Sequence, residues 1–139
     1  MSGFDVEKSV GFLLAKAHQR FYAFFRQELA DYQLTPPQFA LLAFLWKQEG
    51  LSQVELSEKT EVDRTTLGGL IDRLEKSGLV ERYPNPVDRR AHLIQLTVKG
   101  RSLEEELGRI ALRVRGRYTA ALGPGEYDKL CELLEKLRG

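Results

Sequence analysis

Apolar residues recur at every third or fourth position along several stretches of the chain, which is the spacing of one face of an α-helix. Between residues 6 and 32 this pattern predicts one long amphipathic helix, and after Thr97 it predicts another, with apolar positions from 103 to 122. A last short helix is expected at about 127–137, after the helix-breaking sequence GPG. The pattern therefore predicts a mainly α-helical chain.

Capping signatures divide the stretch between the two long helices. Thr35 with Gln38, and Ser52 with Glu55, have the spacing of a capping box, in which each side chain accepts the other residue's backbone N–H. Asp63 is suited to cap a further helix. These signals predict three helices, at about 36–47, 53–59 and 64–77.

Two short β-prone runs follow, at 80–83 and 93–96, and the turn-rich segment PNPVDRRAH separates them. Gly78 can take the left-handed conformation that ends the preceding helix. The order of short helix, turn, second helix and hairpin between 52 and 97 is that of a helix-turn-helix followed by a β-wing. The predicted fold class is mainly α with a small β-hairpin wing: a winged helix-turn-helix lobe plus a layer of outer helices.

The helix at 64–77 is the candidate DNA-reading element. In a helix-turn-helix unit the second helix packs its inner face on the domain and offers its outer face to the major groove. Natural base and phosphate contacts on this helix are Arg64, Thr65, Thr66 and Arg73. At 100° per residue, the inward positions are Leu67, Leu70, Ile71 and Leu74, and the outward centre falls among Thr65, Gly69, Asp72 and Lys76.

Two adjacent glycines interrupt this helix, although each interior glycine costs roughly 0.5–1 kcal/mol relative to alanine. Gly69 lies at the centre of the outer face, where a missing side chain lets the helix backbone approach a partner surface closely. For Gly68 we prefer the simpler interpretation, a small residue left on a solvated face. Gly69 is therefore grouped with the candidate DNA contacts.

Positive charge is concentrated near the predicted wing. The net charge of the chain is +1, which favours no particular partner, but five bases lie between 82 and 101 against the single acid Asp88. A basic hairpin tip can insert an arginine into the minor groove, and Asp88 can orient a neighbouring guanidinium. The alternative is a solvated charged turn. The bases are Arg82, Arg89, Arg90, Lys99 and Arg101.

Composition excludes several other classes of function. The 139 residues, 42% hydrophobic and 29% charged, are typical of one globular domain. No apolar run approaches the roughly 18–20 residues of a membrane span, and no secretory signal is evident, so a cytoplasmic protein without membrane contact is expected. Cys131 and two histidines give little material for a metal site, so we predict no metal and no cofactor. No nucleophile with a base, paired carboxylates or phosphate loop is evident, so we predict no catalytic residue and no enzyme.

Three motifs together resemble those of MarR-family transcriptional regulators: LTPPQFALL at 34–42, LSQVELSEKTEVDRTTLGGLIDRLEKSGLVER at 51–82, and DRRAHLIQLTVKG at 88–100. The resemblance implies a homodimer that binds a pseudo-palindromic operator in double-stranded DNA, usually as a repressor released by a small molecule. It implies recognition-helix contacts at Arg64, Thr65, Thr66 and Arg73, and places Asp88 and Arg90 in the wing motif, with Arg89 as a phosphate contact beside them. Gly69 joins these candidates from the helix geometry alone.

The resemblance also divides the chain into an N-terminal dimerisation helix at 1–34, a DNA-binding lobe at 35–100 and C-terminal dimerisation helices at 101–139. Physical reasoning points the same way, because the first helix and the seam from 103 to 122 carry more apolar surface than one small lobe can cover. A self-contained helical bundle is the alternative. Many relatives have a basic or polar residue where Gly69 stands and glycine where Glu61 stands.

The segment LLAKAHQRFYAFF at 13–25 resembles the first helix of relatives that respond to aromatic carboxylic acids. This likeness implies a small aromatic carboxylate effector near Lys16, His18 and Tyr22. Ala15 and Lys16 stand where those relatives often have arginines. Either Lys16 takes the carboxylate as a point charge, or the ligand differs. The alternative is that His18 is a satisfied core or interface residue. Cys131 is interpreted as a small interface residue, not a redox switch.

A winged-helix module that contacts protein and not DNA is the main rival, because fold alone does not fix function. Such a module has no need of Arg89 and Arg90 at its wing tip. DNA binding should weaken steeply with salt, whereas protein contact should not.

Overall fold

The computed structural model describes residues 2–88 and 90–139, so the predicted wing contact Arg89 lies outside the described residues. The chain forms two compact units, of which the first combines Met1–Glu28 with Ile110–Gly139 and the second is Leu29–Arg109. None of the helices in the described part of the chain is long and apolar enough to cross a lipid bilayer.

The described residues form seven α-helices and three short β-strands, which agrees with the predicted fold class. The helices are α1 (Val10–Leu29), α2 (Pro36–Lys47), α3 (Gln53–Thr60), α4 (Arg64–Lys76), α5 (Val98–Ser102), α6 (Glu104–Tyr118) and α7 (Glu126–Arg138). The strands are β1 (Leu51–Ser52), β2 (Val80–Pro84) and β3 (His92–Leu96).

The predicted helix starts in the second unit are confirmed by their capping hydrogen bonds. Thr35 and Gln38 form a reciprocal capping box at α2, with N···O distances of 3.0 and 3.3 Å. Ser52 and Glu55 do the same at α3, at 3.2 and 3.0 Å. Asp63 caps α4 by accepting the backbone N–H of the third residue of that helix. These local contacts therefore determine where the three helices begin.

The prediction of one helix from 6 to 32 is wrong at both ends. Val6–Lys8 is a short 3₁₀ turn, and Ser9 is extended, with φ −76° and ψ 147°. The Ser9 hydroxyl accepts the backbone N–H of Phe12 at 3.3 Å, so this serine caps a new helix and does not continue the old one. At the other end, Ala30–Tyr32 is a 3₁₀ turn that follows α1.

The second predicted long helix is also divided. α5 ends at Ser102, Leu103 takes φ −84° and ψ −9° as its C-cap, and α6 begins at Glu104. Three consecutive glutamates, 104–106, occupy the first turn of α6, where negative charge favours a helix N-terminus. Leu122 falls after α6 ends at Tyr118, so it does not belong to the helical seam.

The predicted hairpin is part of a three-stranded antiparallel sheet with strand order β1-β3-β2. Val80 pairs with Leu96 at one end of the β2–β3 ladder and Pro84 with His92 at the other. The additional strand β1 pairs Leu51 with Ile94. The strand β1 could not be predicted from the sequence, because two residues show no period-2 pattern.

The apolar face of α4 is buried in the second unit, as predicted. Leu67, Ile71 and Leu74 are fully buried, and Leu70 is nearly so. Their packing fixes the orientation of α4 and leaves its opposite face open. The other buried apolar residues of this unit include Leu29, Leu41, Leu42, Leu45, Leu56, Val80, Ile94 and Leu107.

The expectation that the α6 seam supplies the uncovered apolar surface is wrong for three of its positions. Leu107, Ile110 and Val114 are buried within the chain itself. Exposed apolar side chains in the first unit lie mainly on α1 and α7. They include Val10, Leu13, Leu14, Leu130, Leu133, Leu134 and Leu137, and the others are Phe4, Val6, Leu112 and Leu122.

Gly100 lies at a very close approach between α5 and the chain before β2. A Cβ at this position would lie 2.1 Å from the carbonyl oxygen of Leu79. That oxygen accepts the backbone N–H of Thr97 at 3.0 Å, and the Gly100 carbonyl accepts the Trp46 indole N–H at 3.0 Å. Neither side of the contact can therefore move without breaking a hydrogen bond.

We predict that Gly100→Ala lowers the free energy of unfolding by about 1–3 kcal/mol, because the added methyl group overpacks this contact. Gly108→Ala is the matched control, since a Cβ there meets nothing within 4 Å and alanine favours a helix interior by roughly 0.5–1 kcal/mol. Chemical denaturation of both variants checks the prediction. Equal stability of the two variants would contradict it.

Candidate nucleic-acid interface

The turn between α3 and α4 sets the direction in which α4 leaves the preceding helix. Glu61 has a left-handed backbone, with φ 57°, and the Ser57 hydroxyl donates to the Val62 carbonyl at 2.6 Å. A left-handed conformation suits glycine better than a residue with a Cβ. The turn therefore keeps its geometry with glutamate, at some local strain.

Thr66, one of the predicted DNA contacts, is hydrogen-bonded to the N-cap residue of α4. Asp63 accepts the Thr66 backbone N–H at 2.9 Å and the Thr66 hydroxyl at 2.8 Å. These two hydrogen bonds hold the pKa of the Asp63 carboxyl below its ordinary value. Because the hydroxyl hydrogen of Thr66 is used internally, this side chain can accept from a base amino group but cannot also donate to a phosphate.

The two glycines of α4 have different surroundings. A Cβ at Gly69 would meet nothing within 4 Å, so the outer face is open there, as a close approach to a partner requires. A Cβ at Gly68 would lie 3.3 Å from the Gln53 side-chain nitrogen. Gly68 is therefore a packing residue at the contact between α3 and α4, which corrects its interpretation as a small residue on a solvated face.

The wing loop is shaped by local backbone hydrogen bonds. One carboxylate oxygen of Asp88 accepts the backbone N–H of Arg90 at 3.0 Å, and the Asp88 carbonyl accepts the N–H of Ala91 at 3.0 Å. The contact that the structure describes for Asp88 is to the Arg90 backbone. The expectation that Asp88 orients a neighbouring guanidinium stays a prediction, because Arg89 lies outside the described residues. Asp88 fixes the direction of the wing turn and, through it, the position of Arg90.

Arg64 and Arg90 converge on one small cavity of about 240 Å³. Arg64 comes from the first turn of α4 and Arg90 from the wing, and both are exposed. The cavity also lies beside the N-terminus of α4, where the helix dipole favours negative charge. Two separate elements thus direct positive charge to one point, as a phosphate contact requires. The other lining residues are Gln53, Val54, Ala91 and His92.

Arg73 lies on the opposite flank of α4, because nine residues at 100° each place it half a turn of the helix away from Arg64. It lines a different cavity of about 700 Å³, which also contains Lys76 and Lys99. The structure therefore does not gather Arg64, Arg73 and Arg90 in one cavity. The bases flank the outer face of α4 on both sides, with Thr65 exposed between them.

The positive charge near the wing is smaller than the sequence count implies. Arg82 pairs with Asp72 at 2.6 Å and with Glu75 at 3.0 Å. Arg101 pairs with Glu49 at 2.7 Å. Acids from other parts of the fold thus neutralise two of the five bases. Among the described residues, Arg90 and Lys99 are the two of these bases without an ion pair, and Arg90 is the one that lies on the wing loop.

A third cavity, with a distinct chemistry, lies within the first unit, between α1, α6 and α7. It has a volume of about 640 Å³ and mostly apolar walls. His18 lines it, together with Arg115, whose guanidinium lies 4.1 Å from the Tyr127 ring centre. A hydrogen bond with Cys131 raises the pKa of the Tyr127 hydroxyl above its ordinary value. The cavity can therefore receive an apolar ligand that carries an acidic group.

The other predicted effector residues lie nearby but do not line this cavity. The Lys16 ammonium lies 5.4 Å from the Phe12 ring centre, and the Tyr22 ring lies 6.2 Å from that of His18. Sequence analysis did not identify Arg115 or Tyr127 as cavity residues. The sequence does not distinguish these two residues as cavity residues, because α6 and α7 carry many polar residues at similar spacing.

Comparison with known proteins gave one consistent result. The sequence model of the MarR family matches residues 34–92. The chain is similar to the HTH-type transcriptional repressor NicR of Pseudomonas putida, at 37% identity over 134 residues, which is 96% of this chain and 85% of that protein.

Solved structures give the same result. Bordetella bronchiseptica BpsR, studied for the regulation of its DNA binding by 6-hydroxynicotinic acid, has a TM-score of 0.92 at 34% identity, over 99% of this chain and 98% of that one. The transcriptional repressor CouR, bound to a 23-mer DNA duplex, has a TM-score of 0.90 at 31% identity, over 100% and 99%.

Proposed function

The chain belongs to the MarR family of transcriptional regulators, and from this premise we propose that it is a DNA-binding repressor released by a small molecule. Its target is a pseudo-palindromic operator in double-stranded DNA, bound by a homodimer. Its place of action is the cytoplasm, where such DNA is accessible. The observation that carries the proposal is the convergence of Arg64 and Arg90 beside the open face of α4.

The proposed contacts follow from the geometry of the second unit. α4 enters the major groove, with Thr65 and Thr66 at base edges and Gly69 at the point of closest approach. Arg64 and Arg73 contact phosphates on the two sides of the helix. The wing contributes Arg90 and Arg89 as contacts beside the groove, and Asp88 holds the turn that presents Arg90.

A homodimer is proposed because one recognition helix reads only a few base pairs. Two such helices related by a two-fold axis and about 34 Å apart read two half-sites on one face of DNA. The exposed apolar side chains of α1 and α7, among them Leu13, Leu14 and Leu134, supply a surface that a second copy can bury.

We predict that Arg64→Ala and Arg90→Ala each weaken operator binding while the variants stay folded. Each change should also reduce the salt dependence, because log–log salt slopes are about −0.9 per neutralised phosphate. Fluorescence anisotropy with operator selected from a random DNA pool measures both quantities. Arg109→Ala is the control, since the contact described for Arg109 is an exposed pair with Glu105 on α6. A wild-type protein that binds duplex DNA with no salt dependence, or not at all, would favour the protein-contact module.

We predict opposite effects of Gly69→Ala on stability and on binding. The free energy of unfolding should rise by roughly 0.5–1 kcal/mol, because alanine favours a helix interior and its Cβ meets nothing here. Operator affinity should fall, because the methyl group holds α4 away from the groove floor. Denaturation and anisotropy measure the two effects, and unchanged or tighter operator binding would show that Gly69 has no close-approach role.

We propose that the effector is a small aromatic carboxylate bound near His18, with Lys16 and Tyr22 on the same helix. The regulation of the similar protein BpsR by 6-hydroxynicotinic acid supports this class of ligand. The apolar cavity that contains His18 and Arg115 offers an aromatic slot with positive charge.

We therefore predict that 6-hydroxynicotinic acid or a hydroxybenzoic acid, at millimolar concentration, raises the melting temperature and releases operator DNA. A ligand at a hundredfold excess over its Kd stabilises the folded state by about 2.7 kcal/mol. His18→Ala should reduce both effects, whereas Lys8→Ala, outside the cavity, should not. If none of these acids produces either effect, the proposed ligand class is wrong.

A further inference from the structure

Arg82 is the base near the wing that has the most internal partners. It lies on β2, and only 19% of its side chain is exposed. One guanidinium nitrogen contacts Asp72 at 2.6 Å and Glu75 at 3.0 Å, and the other donates to the Gly68 carbonyl at 3.2 Å. All three partners belong to α4. A single side chain of the wing sheet therefore contacts the recognition helix along two of its turns.

The backbone of Arg82 adds to the same connection. Its N–H donates to the second carboxylate oxygen of Glu75 at 3.2 Å. The main chain of β2 is thus tied to α4 as well as the side chain. Arg82 pairs with Ile94 in the β2–β3 ladder. The contact with α4 therefore also restrains β3, the strand that follows the wing loop.

Arginine has the geometry for this task. Its planar guanidinium presents several donors in fixed directions, whereas a lysine ammonium is a compact point charge. A mostly buried cation also needs partners, and Asp72 and Glu75 provide compensating charge here. The two acids are more exposed than Arg82, at 68% and 42%, so they lie toward the face that is open to DNA.

We propose that Arg82 is a positioning residue for DNA reading: it locks the wing to the recognition helix through Asp72, Glu75 and the Gly68 carbonyl. This inference rests on the proposed function, because it concerns how the two DNA-contacting elements keep their relative geometry. Arg82 itself contacts no DNA. Its loss keeps Arg64 on α4 and Arg90 on the wing but allows the distance between them to vary.

The decisive variant removes the acids and keeps the arginine. Asp72→Ala with Glu75→Ala deletes two negative charges per lobe close to DNA, so simple electrostatics predicts tighter binding. A positioning role predicts the opposite. We expect operator affinity to fall by about tenfold, equivalent to roughly 1.4 kcal/mol, while affinity for unrelated duplex stays equal or rises. Anisotropy with both duplexes measures this specificity ratio.

The second variant removes the arginine itself. Arg82→Gln should lower operator affinity with little change in salt slope, because no phosphate contact is lost. Arg82→Lys should recover only part of the affinity, since an ammonium cannot reach all three acceptors in the same geometry. Arg101→Gln is the matched control: it breaks the ion pair with Glu49 in the same unit, outside the contact between α4 and β2, and should change operator affinity little.

The outcomes separate this inference from the proposed function. Wild-type protein that binds no duplex overturns the proposed function. If wild-type protein binds, tighter operator binding by the double alanine variant overturns the inference alone. A fall in salt slope of about 0.9 for each Arg82 in the complex would make it a phosphate contact and also overturn the inference. If Arg82→Gln does not fold, the double alanine variant still decides, because it retains the arginine and places good helix formers in α4.

Discussion

The burial of one face of α4 is the constraint on which the rest of the structure depends. Leu67, Ile71 and Leu74 are fully buried in the second unit. Because an α-helix has 3.6 residues per turn, fixing this face also fixes which residues point outward. Thr65 and Gly69 are thereby presented, and Arg64 and Arg73 are placed on opposite flanks. The apolar core thus positions polar groups that never touch it.

Local hydrogen bonds then determine what the presented groups can do chemically. The Thr66 hydroxyl donates a hydrogen bond to Asp63. The Thr66 side chain can therefore only accept a hydrogen bond from a partner. Asp88 holds the Arg90 backbone and leaves its guanidinium available. In both places a carboxylate that looks unfavourable on a DNA-facing surface has a structural role. The electrostatic surface is therefore not the sum of the charges in the sequence.

The two units concentrate different properties. The second combines a well-packed core with bases that flank an open helix face. The first has exposed apolar side chains on α1 and α7 and a largely apolar cavity with His18 and Arg115 at its walls. This division suits a regulator in which one unit reads DNA while the other pairs and senses. In such a regulator, the affinity for DNA must depend on what the other unit binds.

The sequence by itself determined the starts of α2, α3 and α4, the inward face of α4 and the wing strands, because capping boxes, periodicity and turn residues act within a few positions of the chain. It also placed Gly69 at an open point of the outer face. The sequence did not determine the partners of Arg82, the packing role of Gly68 or the short strand Leu51–Ser52. Each of these depends on residues brought together from distant positions. Only the tertiary structure decides such contacts, because the sequence does not show which groups a charged or a small residue will contact in the folded chain.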